Sequence, residues 1–201
     1  MEAASFDKTA FIKFLIKSLS YYFLIYILIF LYQGIVFSNK ALAFPEIYSL
    51  VTFIRKIDLH GKYAQCILSP AVWILKLSGF ETMHEGMIIG IVGYRGVNMH
   101  FSCLGLNVMG AFIALMLAFP DKVKKAKKFL FIVLIIFLIY VLNVIRVTLL
   151  ATQDYFKFNL YFEHHDLFNT ILYIIILFFF FRWISYCSKS GSLTESHHIA
   201  L

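Results

Sequence analysis

"DKVKKAKK", residues 121–128, packs five lysines into eight positions between two long apolar runs, 101–119 and 129–153. Lysine-rich loops this short stay on the cytoplasmic side when a helical hairpin inserts into a bilayer. The flanking runs have the length a membrane asks for, since a hydrocarbon core of ~30 Å takes about 20 helical residues. Further out lie two more: 18–37, "SLSYYFLIYILIFLYQGIVF", which carries no charge, and 167–187, which Arg182 and Trp183 close. The predicted class is therefore an all-α polytopic membrane protein with at least four transmembrane helices. Composition agrees. Of 201 residues, 61% are hydrophobic and 14% charged, and 23 are Phe. A soluble domain of this size has no interior large enough for so much apolar surface.

The formal charge of +7 does not mark a nucleic-acid partner, because the cations gather beside the apolar runs as topology signals do. Lys8, Lys13 and Lys17 precede the first run, and Arg182 and Lys189 follow the last. Both termini are thus predicted to be cytoplasmic, which four crossings require. Residues 38–100 then form an extracytoplasmic segment. Within it, 63–80, "YAQCILSPAVWILKLSGF", contains Pro70 and Lys76 and reads as an interfacial or partly buried helix. In "MIIGIVGYRGVNMHF", 87–101, Gly93 and Gly96 bracket Tyr94 and Arg95 between β-prone runs, the pattern of a short hairpin. The expected organisation is one integral membrane domain, 1–187, with a flexible cytoplasmic tail, 188–201. Ala41-Leu42-Ala43 resembles a signal-peptide processing site, but the run before it exceeds an ordinary apolar region of about 7–15 residues.

Chemistry enters at one depth. Cys103 lies 18 residues before Asp121, Arg146 lies 18 after Lys128, and His165 lies 17 before Arg182. At ~1.5 Å per helical residue each sits about 26–27 Å from the lysine edge. Each also has an amide one turn deeper on its own face: Asn107, Asn143 and Asn169. Polar groups in hydrocarbon turn toward the bundle interior, so the three faces are expected to meet. Gly105 and Gly110 are expected to permit close approach near the cysteine. A thiolate is a nucleophile, favoured near a helix N-terminus. An imidazole can take its proton and return it to a leaving amine. A guanidinium is a fixed donor for an oxyanion or an anchor for a carboxylate. The set suggests acyl transfer through a thioester at the membrane surface, on a peptide presented there.

These residues resemble the exosortase/archaeosortase family of membrane transpeptidases. The likeness is carried by "CLG" at 103–105, "NVIR" at 143–146 and a histidine opening the next span, over roughly 60–185. Length and aromatic content look like the short forms of Bacteroidetes-type bacteria. The resemblance implies Cys103 as nucleophile, Arg146 as transition-state or substrate-positioning residue, and His165 as acid/base. It implies membrane-anchored substrates bearing a C-terminal sorting signal, cleaved at the outer face of a bacterial cytoplasmic membrane. No cofactor and no metal are expected. Where longer members often have Gly four residues after the histidine, this chain has Asn169. His164 competes with His165, which is favoured for its one-turn relation to Asn169.

Other readings remain. Cys103 as a buried hydrophobe, or paired with Cys66, would not be a nucleophile. Adjacent histidines in "EHHD", 163–166, point apart on a helix and do not match the H-E-x-x-H metal pattern. A different class is a non-enzymatic transporter or assembly component that binds an anionic ligand through Arg146.

Overall fold

The apolar runs fold into long helices because in lipid every backbone N–H and C=O must be satisfied within its own segment. The computed structural model describes residues 8–37, 48–120, 124–157 and 164–198, with the backbone alone described at 10, 36–37, 101–102, 164–167, 169 and 189–198. The order is α1 (Lys8–Phe37), α2 (Tyr48–Ile57), α3 (Leu59–Leu77), β1 (Thr82–Glu85), β2 (Ile88–Ile91), β3 (Val97–Asn98), a 3₁₀ turn (Phe101–Leu104), α4 (Leu106–Ala118), α5 (Lys125–Phe156) and α6 (His164–His198). Among the described residues, three helical stretches are long and apolar enough to cross a membrane: Phe11–Ile35, Lys125–Phe156 and Thr170–Ser188. The polytopic helical class follows.

The run that begins at Phe101 is not one continuous helix. A 3₁₀ turn carries Cys103, Gly105 breaks the chain direction, and α4 then runs for only 13 residues. That is about 20 Å of rise, short of a ~30 Å core. α5 has 32 residues, about 48 Å, and exceeds it. α5 is therefore longer than one crossing needs.

α3 runs beside the C-terminal half of α5. Tyr140 Oη donates to the Cys66 carbonyl at 2.8 Å, and Phe80, just past α3, meets the Tyr155 ring edge-on at 5.1 Å. The segment 63–80 is thus a half-buried helix as far as Leu77, whose stripe Ala64, Ile67, Leu68, Ala71 and Leu75 faces the protein. The expected hairpin is present as β2–β3, and β1 extends it to a three-stranded antiparallel meander. Thr82 pairs with Ile91, and Ile89 with Val97.

Two apolar cores stack along α5. The one near the lysine end joins Phe112 and Met116 of α4, Ile135 and Ile139 of α5, and Leu172, Ile176 and Phe180 of α6. The far one joins the α3 stripe, Ile89, Met99, Leu104, Val144, Val147 and Ala151. Tyr63 and Tyr140 pack against both. The polar residues sit at this seam.

Candidate active site

The buried stripe of α5 steps through Ile135, Ile139, Asn143, Val147 and Ala151 at i,i+4 spacing. Asn143 thus occupies a core position, and Arg146 lies beside it on the same face. Asn143 is 0% exposed, Arg146 2% and Cys103 5%. A buried charge and a buried amide are expensive unless other groups answer them. That cost indicates a purpose.

Residues of other elements lie close to Arg146. Its Cζ lies 5.0 Å from the centroid of the Phe168 ring on α6, a cation–π distance. Its guanidinium is also within Coulombic reach of Cys103. Thiol and guanidinium, carried by different elements, therefore lie within electrostatic range of one another. No disulfide joins Cys66 and Cys103; Cys66 is exposed and Cys103 buried.

The cysteine is placed by a tight local geometry. His100 is extended, and the Cys103 N–H donates to the His100 carbonyl at 2.9 Å. Gly105 then takes φ +72°, ψ 8°, a left-handed conformation that ends the turn and starts α4. A side chain there is disfavoured twice. The backbone penalises a Cβ, and the Cβ would overlap the Asn143 amide nitrogen. Tyr63 Oη donates to the Leu104 carbonyl at 3.4 Å and approaches Met109 Sδ at 3.6 Å. Burial, with the neighbouring Tyr140 and Cys66, pushes the Tyr63 phenol up to about 12, so it stays a protonated donor across the working pH range. Gly110, by contrast, serves another contact. It faces Ile25 of α1, so it lets α1 and α4 approach and does nothing for the cysteine directly.

Neither amide atom of Asn143 has a hydrogen-bond partner among the described residues. An unmet buried polar group costs about 1–3 kcal/mol. Asn107 is half-buried in the first turn of α4. His164 and His165 open α6; their side chains, and that of Asn169, lie outside the described residues. The buried stripe of α6 is Leu172, Ile176, Phe180, Trp183 and Cys187.

Two partners were missed from sequence. Phe168 was recoverable, three residues after His165 on one helical stripe. Tyr63 was not, because 41 residues separate it from the carbonyl it contacts. A cleft of ≈ 300 Å³ reaches this turn, lined by Tyr32, Leu59, His60, Tyr63, Leu104 and Leu106. His60 also borders a more polar cleft of ≈ 660 Å³ that includes Lys62, Gln65 and Cys66. Burial pushes the His60 imidazole down, against the pull of Asp58.

The fold and site define a class: a helical membrane protein with a thiol and a guanidinium buried near one another in its interior. The chain belongs to the transmembrane exosortase family, whose model matches residues 9–182. The family implies a peptidase or transpeptidase enzyme. No curated protein and no solved structure matches the chain significantly.

Proposed function

We propose that this protein is a cysteine transpeptidase or endopeptidase that cleaves C-terminal sorting signals of exported proteins at the outer face of the cytoplasmic membrane. The observation that carries the reading is the approach of Cys103 and Arg146 at the seam between the two cores, with α6 brought onto Arg146 through Phe168.

In this reading His165 takes the Cys103 proton, and Sγ attacks the carbonyl carbon of the scissile bond. The carbonyl electron pair moves to oxygen and returns as the C–N bond breaks. His165 gives its proton to the departing amine, leaving a thioester on Cys103. An incoming amine or water displaces the sulfur, which recovers a proton. Arg146 stabilises the transition-state charge or holds a substrate carboxylate. His165 is preferred over His164 for its one-turn relation to Asn169. The cleft beside Leu104 supports an approach for the tail from the membrane edge.

Sidedness has a direct test. In a Cys66→Ser background, a membrane-impermeant maleimide applied to intact spheroplasts is expected to label Cys103 and to block cleavage of a co-produced tail-anchored substrate. Cys187 should be labelled only after permeabilisation. Labelling of Cys103 only after permeabilisation would place the site on the other side.

A further inference from the structure

We infer that the Asn143 side-chain amide, together with the N-terminal N–H groups of α4, forms the oxyanion site of the acyl transfer proposed above; the inference rests on that reading. Three observations bear on it. Asn143 is fully buried on α5, and both its amide atoms lack a hydrogen-bond partner among the described residues. Its nitrogen faces the Gly105 backbone, at the position where α4 starts. No side chain caps that start, and the first helical bond there runs from the Met109 N–H to the Gly105 carbonyl. The N–H groups of Leu106, Asn107 and Val108 precede that bond and have no acceptor within their own helix.

Cys103 stands three residues before the first residue of α4, Leu106. When its sulfur adds to a carbonyl, the oxygen that gains the electron pair needs donors that are already aimed. The α4 N-terminus brings positive potential and N–H groups. The Asn143 Nδ2–H brings a neutral donor that hydrogen-bonds the oxyanion and gives up no proton. Arg146, one turn further along α5, is then left to the thiolate and the substrate. The missing side chain at Gly105 lets the Asn143 nitrogen lie against the helix start, so both kinds of donor belong to one turn.

The test compares two reactions of one sulfur. Acylation of Cys103 by p-nitrophenyl butyrate passes through an oxyanion; alkylation by iodoacetamide does not. Both are followed on the full-length protein in detergent, in a Cys66→Ser/Cys187→Ser background, with Asn143→Leu as the variant of similar volume. Acylation is expected to slow by ~10²–10³-fold, with alkylation within threefold of the parent. With a tail substrate, kcat should fall and KM should stay. Acylation within threefold of the parent overturns the inference and leaves the enzyme reading standing. A parallel fall in alkylation also overturns it, since Asn143 would then only hold the turn. If Cys103 of the parent cannot be acylated at all, the enzyme reading falls first and this inference with it.

Discussion

Replacing Cys103 with alanine is expected to leave the chain inserted in the membrane and to stop tail cleavage. The substitution removes one sulfur from a site 5% exposed, in a core otherwise built from Leu104, Val144 and Val147. Trimming a side chain that small costs about 1 kcal/mol, which leaves accumulation near normal. Cleavage should fall by ~10⁴-fold or more, because removing a nucleophile that acts with its base costs nearly everything the unit supplies. Cys103→Ser is expected to be almost as inactive, since a hydroxyl is far harder to deprotonate than a thiol. The readout is the ratio of cut to uncut substrate, with immunoblotting of the enzyme as control. Function that persists in Cys103→Ser and disappears in Arg146→Ala would instead favour the ligand-binding component.

The second large effect is expected at Arg146. Arg146→Lys keeps the charge but loses the planar fork and its stacking on Phe168, 5.0 Å away. Cleavage should fall by ~10²-fold, equivalent to about 2.7 kcal/mol of transition-state stabilisation. Arg146→Leu should be worse for activity and neutral or better for folding, because an apolar side chain removes a buried charge from a site that is 2% exposed. Detergent melting temperature and kcat/KM measured on the same preparations would separate the two. An active Arg146→Leu would remove the guanidinium from the chemistry.

The long uncharged runs were readable because bilayer thickness fixes span length; of the lysine-rich stretch 121–128, residues 125–128 open α5 instead of lying in a loop, and 121–123 lie outside the described residues. The Asn143–Arg146 pairing was readable too, since α5 is one unbroken helix and a spacing of three stays on one face. The break at Gly105 was hidden. "CLGLNV" is apolar throughout, and nothing in a lone glycine says that its φ will be +72°. For the same reason the role of Gly110 was misplaced: which neighbour a glycine admits depends on packing, here Ile25 of α1. β1 went unread because "TMHE" has no apolar alternation, and its pairing with β2 decides its conformation. The family resemblance, drawn over roughly 60–185, extends in the family match back to residue 9 and so takes in α1.

Mass spectrometry of the Cys103 peptide, after brief incubation of the full-length membrane protein with a tail substrate and acid quench, tests the central claim most directly. The expected product is that peptide carrying the acyl portion of the substrate up to the cut, labile to hydroxylamine, and missing in Arg146→Leu and His165→Ala. Cleaved substrate with Cys103 unmodified at every time point, and cleavage unaffected when Cys103 is Ala, would contradict it.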